Sequence, residues 1–424
     1  VHILQLCPRV PYPPHDGGAI AMYDVAAGLA RAGHRVTVLA LNTPKHHQLT
    51  TVLDHLGPNV SLVTVDVDTR LSPVKALRNL LFSHLPYNVE RFVSEEVKAK
   101  LVELLAQEQF DVVQMEGTFV AWYARYWAGG AQRGQHVPPV ILRAHNLEYT
   151  IWEQLARNAG NPLKKWYLRQ LAARLKQFEN WMLCRFDAIA AITETDQQRL
   201  SALGAHPAIE FIPAGVDLSR FQPDPAIRPK PRTLFMLGSL NWLPNLEGLD
   251  WFLREVWPEA RRRYPELELH LAGKDTPERI RQLQVPGVTV HGFVESAAQF
   301  MQTYDLMLVP LLSGGGMRIK IIEGMALGKC ILSTRLGAEG IHVRSGHDIV
   351  LADSPAEWLD CLGRYYRGEL GPAAIGQEAA RTAARLYDNR RVVERFLDLY
   401  SSVQGRAATE GRTPAEPLTS GLRP

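Results

Sequence analysis

The chain has 424 residues, 46% of them apolar, a net charge of +3 and four cysteines. That length exceeds one ordinary core, so at least two domains are expected, and the apolar share excludes wholesale disorder. The small net charge excludes the concentrated basic surface that a nucleic-acid partner requires. Cys7, Cys184, Cys330 and Cys361 form no CxxC pair and read as buried, reduced thiols of a cytoplasmic protein. No window supplies the roughly 20 consecutive apolar residues that span a bilayer. The opening Val1-His2-Ile3-Leu4-Gln5-Leu6 reads as a strand running into Pro8, not as a signal peptide.

Short apolar runs alternate with amphipathic ones along the first half. Strands are expected at Ile3 to Leu6, Arg35 to Ala40, Asp111 to Met115, Val140 to Leu142 and Asp187 to Ile192. Helices are expected at Ala19 to Ala32, Glu95 to Gln107 and Thr195 to Leu203, the first stopped by Gly33 and the last by Gly204. This alternation implies parallel sheet covered on both faces. The stretch 162–185 is helical and carries Lys164, Lys165, Trp166, Tyr167, Arg169, Arg174, Lys176 and Trp181. It is either a solvated face over a core or a peripheral contact with anionic lipid.

The run 221–231 contains four prolines, Pro223, Pro225, Pro229 and Pro231, and reads as an interdomain linker. The alternation then restarts. Strands are expected at Thr233 to Leu237, Leu267 to Ala272, Val288 to His291, Leu306 to Val309, Cys330 to Ser333 and Asp348 to Leu351. Helices are expected at Leu246 to Tyr264, Ile319 to Leu327, Pro355 to Arg367, Gln377 to Leu386 and Arg390 to Val403. The domains expected are 1–213, with a C-terminal helix about 388–403 packing back on it, and 214–387. The polar end 404–424 reads as a disordered tail. Two such halves leave a cleft, and open parallel sheets bind ligands beyond the carboxyl ends of their strands.

One segment meets that condition strongly. Strand Leu306 to Val309 leads through Pro310-Leu311-Leu312 into Ser313-Gly314-Gly315-Gly316-Met317-Arg318, followed by the helix that holds Lys320 and Glu323. Glycines let backbone N–H groups approach an anion, and a helix N-terminus adds partial positive charge. Arg318 and Lys320 in a first turn oppose the helix dipole. They either serve a bound diphosphate or lie exposed, with Lys320 pairing Glu323 at i,i+3. Asp16-Gly17-Gly18 is either a plain strand-to-helix turn or a second anion loop, and a lone His145 after Val140 to Leu142 is more often structural than catalytic. Asp66-Val67-Asp68, His46-His47, His342 and His347 lack metal-ligand context. No GxGxxG follows a strand, which argues against a nicotinamide enzyme.

The run Leu311 to Gly340, together with Pro213-Ala214-Gly215-Val216-Asp217, the segment Gly238 to Asn245, Pro11 to Gly18 and Arg143 to Glu148, closely resembles glycosyltransferase family 4. The resemblance implies a GT-B fold, that is, two Rossmann-like α/β domains facing each other across a cleft. It also implies a retaining, metal-independent transfer from a nucleoside-diphosphate sugar, with no cofactor, to an unidentified acceptor. By the same resemblance His145, Arg318 and Lys320 are catalytic. Gly17, Gly18, Gly238, Ser239, Asn241, Val294, Gly315, Gly316, Arg318, Lys320 and Glu323 bind the donor, Glu323 through its ribose. Asp16 and Asn146 lie on the acceptor side. Two departures stand out. Gly315 occupies the position of a first glutamate that many members carry, and Asn241 to Asn245 contains no cation. Two alternatives stay open, a non-catalytic sugar-nucleotide-binding scaffold, motivated by Gly315, and a sugar-nucleotide epimerase, which shares the fold. The expected setting is polysaccharide or glycoconjugate synthesis in the cytoplasm, peripheral to the inner face of the membrane.

Overall fold

A computed structural model of the chain describes residues 1–14, 16–126, 137–203, 208–314 and 316–410. The chain divides into two compact units, residues 1–213 with the stretch from Val392 onward, and Ala214–Arg391.

The first unit is built on seven parallel strands, β1 (His2–Cys7), β2 (Arg35–Asn42), β3 (Val60–Asp66), β4 (Val112–Glu116), β5 (Val140–Ala144), β6 (Ala188–Ala191) and β7 (Ala208–Phe211), in the order β3-β2-β1-β4-β5-β6-β7. Ile3 lies beside both Val36 and Val112, so β1 is central and every residue in it is buried. Alternate side chains enter different cores because strand periodicity is two. Leu4, Leu6, Leu39, Val113 and Met115 pack with the helices Glu95–Gln107 and Pro162–Leu183. Ile3, Cys7, Val36, Val38 and Val112 pack with Met22, Val25 and Leu29 of the helix Gly17–Arg31, and with Val392, Phe396 and Leu399. Fully burying one such side chain contributes about 1.5–3 kcal/mol, so the double-sided cover holds β1 firmly.

The second unit repeats the plan with six parallel strands, β8 (Lys230–Leu237), β9 (Glu268–Ala272), β10 (Val288–Gly292), β11 (Tyr304–Val309), β12 (Cys330–Ser333) and β13 (Val350–Leu351), ordered β10-β9-β8-β11-β12-β13. In both sheets the strand order reverses beside the first strand, between β1 and β4 and between β8 and β11. Such switch points are where open α/β sheets place their ligands.

Several expectations need correction. The proline run 221–231 does not join the units. It lies within the second, where the Asp224 N–H donates to Gln302 Oε1 at 2.5 Å, and its last two residues open β8. The helix expected over Leu246 to Tyr264 is three pieces, Leu243–Trp251, a widened π turn Phe252–Val256 and Trp257–Arg263. Pro258 has no N–H to give the Arg254 carbonyl and would clash with it in a regular helix, and the wider turn makes room. Strands β3 and β7 and the helices Pro73–Phe82 and Glu148–Asn158 are absent from the sequence reading, and the side chains of the two strands are mostly half-buried. The last helix, Asn389–Glu410, continues past Val403 into the segment expected to be tail. Gln404, Arg406, Ala407, Ala408 and Glu410 are good helix formers. The rest of that tail, 411–424, and the Gly204 stop lie outside the described residues. Cys184 is exposed, whereas Cys7, Cys330 and Cys361 are buried.

Candidate active site

At the β8/β11 switch point the chain crowds backbone around two cations. β8 ends at Leu237 and turns through Gly238-Ser239-Leu240-Asn241-Trp242, while β11 ends at Val309 and turns through Pro310 to Arg318 before the helix Ile319–Ala326. Two loops can meet this closely only without side chains between them. A Cβ on Gly273 would lie 1.8 Å from the Gly238 carbonyl oxygen, and one on Gly238 would lie 3.2 Å from Lys320 Nζ. Gly314 and Gly316 hold φ values of 103° and 76°, which side chains rarely tolerate.

Arg318 is 5% exposed. Its guanidinium donates to the carbonyls of Gly314 (3.1 Å) and Gly316 and lies 5.8 Å from the centre of the Trp242 ring. It ties the glycine turn to the helix that follows. Lys320 Nζ donates to Asn245 Oδ1 at 2.9 Å, and Asn245 Nδ2 in turn donates to the Ser239 carbonyl at 2.8 Å. Lys320 is half-buried, not exposed. Burial first, and the like charge of Arg318 second, push the Lys320 ammonium down to about 7. Burial also lowers Arg318 to about 10, against the opposing charge of Glu339. A half-buried ammonium held by a neutral amide beside a second cation is an electrostatic arrangement that an anion would relieve.

Asn241 Nδ2 donates to Asp275 Oδ2 at 3.1 Å. Glu323 lies one turn into the helix and is half-buried, and Val294 follows β10 by two residues. Gly315 lies outside the described residues. Asn245 and Trp242, which hold Lys320 and flank Arg318, carry no role in the sequence reading.

At the β1/β4 switch point of the first unit the chemistry differs. Asp16 caps the helix Gly17–Arg31, accepting from the Ala19 N–H at 3.1 Å and pairing with Arg9. Burial raises the Asp16 carboxyl, but the Arg9 hydrogen bond and charge outweigh it and hold it below the usual range. Gly17 and Gly18 form the first turn, and a Cβ on Gly18 would lie 3.3 Å from Arg9 Nη2. His145 follows β5, and its Nε2 meets Glu116 Oε2 at 2.6 Å. Glu116 is fully buried at the end of β4, and its Oε1 accepts from Gln5 Nε2 (2.7 Å) and Gln114 Nε2 (2.6 Å). Burial alone would raise this carboxyl. The hydrogen bond from His145 and the charges of Arg143 and His145, with Gln5, keep it below its ordinary value. Buried Arg143 donates Nη1 to the Ala21 carbonyl at 2.7 Å, and Tyr400 Oη donates to Gln114 Oε1 at 2.6 Å. Asn146 hydrogen-bonds the Glu148 carboxyl, which burial nevertheless raises to about 7. Glu116 is the residue sequence reasoning missed. Two polar residues at i,i+2, Gln114 and Glu116, in an otherwise apolar central strand signal a buried network on one face.

Among the described residues no three His, Cys, Asp or Glu side chains gather as a metal site. Asp66 of the DxD meets Asn42 at 2.9 Å, and Asp68 pairs with Arg70. No helix among the described residues is long and apolar enough to cross a membrane.

Comparison with known proteins places these two units in a family. Residues 15–220 match the model of Glycosyltransferase Family 4, and residues 231–367 match that of Glycosyl transferases group 1. An uncharacterized 44.6 kDa protein in the cps region of Klebsiella pneumoniae is 22% identical over 401 residues, 92% of this chain and 97% of that one. The phosphatidyl-myo-inositol mannosyltransferase of Mycobacterium tuberculosis is 26% identical over 224 residues, 50% of this chain and 58% of that enzyme. Among solved structures, HepE of Anabaena in complex with UDP superposes with a TM-score of 0.64 at 15% identity, covering 95% of this chain and all of that one. Sucrose-phosphate synthase of Thermosynechococcus elongatus gives 0.71 at 16% identity over 96% of this chain and all of that one. Two family models that together span most of the sequence, on two parallel-sheet units of GT-B type, establish that the chain belongs to the family 4 glycosyltransferases.

Proposed function

We propose that the enzyme moves a sugar from a nucleoside-diphosphate sugar to an acceptor hydroxyl with retention, in the synthesis of a cell-surface polysaccharide or glycoconjugate. The observation that carries this reading is Lys320, half-buried beside Arg318 at the β8/β11 switch point and met by the neutral Asn245 amide. As the bond from the anomeric carbon to the diphosphate breaks, negative charge grows on the departing oxygens. Cations already in place stabilise that charge without a metal or cofactor. In this reading the second unit, 214–387, binds the donor. Glu323 takes the ribose hydroxyls, Gly238, Ser239, Asn241 and Val294 border the base and ribose, and the glycine turn through Gly315 and Gly316 approaches the diphosphate. Gly17 and Gly18 close on the donor from residues 1–213 with the helix 388–403, His145 reaches the transferred sugar, and Asp16 and Asn146 serve the acceptor. Glycine at position 315 in place of a first glutamate marks a branch of the family, and residues 162–185 make a peripheral contact with the inner face of the membrane.

Three likenesses support this. A relative is a mannosyltransferase acting on a phosphatidylinositol, another is encoded in a cps region, and HepE has been crystallised with UDP and with UDP-glucose. A thermal-shift screen over UDP-, GDP- and ADP-sugars tests the donor grip. A donor at a hundred times its Kd should stabilise the fold by about 2.7 kcal/mol, and Lys320→Ala should remove that shift. A flat response to every sugar nucleotide would sink the reading. Binding without turnover or donor hydrolysis would favour the scaffold, and interconversion of donor sugars without acceptor would favour the epimerase. The anomeric configuration of the product, read by NMR, decides retention.

A further inference from the structure

The helix Pro73–Phe82 turns its apolar stripe outward. Val74, Leu77 and Leu81, spaced i, i+3, i+7, together with Leu71 and Phe82, are 58 to 78% exposed. The opposite face instead buries a polar residue. Asn79 donates its Nδ2 to the Leu85 carbonyl (2.8 Å) and to Glu90 Oε2 (2.6 Å). A surface helix ordinarily buries its apolar stripe, and a contiguous exposed one marks an interaction site.

A second helix, Pro162–Leu183, is joined to this one near its C-terminal end. Arg174 donates Nη1 to the Asn79 carbonyl (3.2 Å) and Nη2 to the Leu80 carbonyl (2.7 Å). At the other end of the first helix, Tyr87 Oη donates to the Ser72 carbonyl (3.2 Å) and accepts from the Ser72 N–H (2.9 Å). Near the start of the second helix, Leu163 and Trp166 are exposed.

Charge singles out the same surface. Residues 69–89 hold Arg70, Lys75 and Arg78 and no carboxylate, and residues 154–178 hold Arg157, Lys164, Lys165, Arg169, Arg174 and Lys176 and no carboxylate. Arg70 pairs with Asp68 and Arg157 with Glu153, which leaves seven cations outside the described ion pairs in a chain whose net charge is +3. Of these, Lys75, Arg78, Lys164 and Arg169 are exposed and Lys165 is half-buried, and the five enter none of the described ion pairs.

We propose that this surface docks on an anionic phospholipid bilayer. Val74, Leu77, Leu81, Phe82, Leu163 and Trp166 enter the headgroup boundary, and the five cations meet lipid phosphates. The proposal builds on the peripheral contact assigned above to residues 162–185. It moves the main apolar anchor to the helix Pro73–Phe82 and specifies anionic headgroups as the partner. A second copy of the chain fits poorly, because a two-fold contact through this patch sets like charges against each other.

The test is co-sedimentation of the full chain with vesicles of phosphatidylcholine, alone or with about one third phosphatidylglycerol. Binding should require the anionic lipid and weaken with salt. Lys164→Gln/Lys165→Gln/Arg169→Gln should weaken it on the order of 10²-fold, from about fivefold per cation near a charged surface. Leu77→Ser/Leu81→Ser/Phe82→Ser should weaken it at least about tenfold. All six side chains lie at the surface, so unfolding temperature and donor-induced thermal shift should stay unchanged in both variants. Equal binding to neutral vesicles, no binding to anionic ones, or an apolar variant that only turns a dimer into a monomer each overturn the proposal. Donor stabilisation without vesicle binding overturns the docking surface alone, and vesicle binding without donor stabilisation overturns the donor site alone.

Discussion

At the β1/β4 switch point charge is closed on itself. Glu116 is ringed by His145, Gln5 and Gln114 with Arg143 nearby, and the network keeps the carboxyl ionised although it is fully buried. At the β8/β11 switch point charge is left open. Arg318 is occupied with loop carbonyls, Lys320 rests on an amide, and burial lowers both. The two sheets share one topology, so the difference comes from a few loop residues. A charge met by opposite charge and hydrogen bonds positions a side chain, whereas a cation met by a neutral amide favours an anion.

The comparison predicts opposite responses to losing its central residue. Glu116→Ala should destabilise the protein by about 3–5 kcal/mol, because Arg143 is left buried with its strongest opposing charge removed. Urea unfolding measures it, and a loss under about 1 kcal/mol would mean the network is not closed. In the second unit the large effect should fall on catalysis instead. Lys320→Ala and Arg318→Ala should each lower turnover on the order of 10²-fold or more, as removal of a prearranged donor to a developing anion does. Near-normal turnover of the double variant would refute the clamp.

A smaller effect is pH-dependent. Free Lys320 titrates at about 7, and a bound diphosphate should raise that value. Donor affinity should therefore be full below pH 7 and fall by up to about tenfold per pH unit above it, until the raised value is reached. Calorimetry in buffers of different ionisation heat should show proton uptake on binding near pH 8. Lys320→Met should abolish both the slope and the uptake.

Why one of these sites was legible in the sequence and the other was not follows from how each is encoded. The glycine turn and its cations occupy consecutive positions, so a strand, Ser313 to Gly316 and a helix start can be read in one pass. Lys320 and Asn245, however, lie 75 residues apart, and no local spacing announces their contact. Glu116 was hidden for a related reason, since its partners come from β1, β4 and the turn after β5. Central strands such as β1 read clearly because they are buried on both faces, whereas the half-exposed β7 does not. The helix Pro73–Phe82 shows a further limit. Periodicity reveals an apolar stripe but not whether the protein or a lipid surface covers it.

The smallest expected effect sharpens the contrast most, because its sign is unusual. Deleting a buried charged side chain normally weakens a protein, yet Lys320→Met should strengthen this one. In the unfolded chain the ammonium has its ordinary value, near 10.5, and folding lowers it to about 7. Between those values the unfolded state binds more protons, so stability rises with pH across that window in the parent protein. Below about 7 the charged form is held in the fold at full cost, and above 10.5 the cost is gone. Replacing the ammonium with a methionine side chain should therefore raise stability at pH 6 by about 1–2 kcal/mol, with the advantage fading as pH approaches 10. Denaturant unfolding at both pH values reads this directly. Equal stability at pH 6 would mean that Lys320 is already neutralised in the free protein, and the open character of the second switch point would then have to be given up.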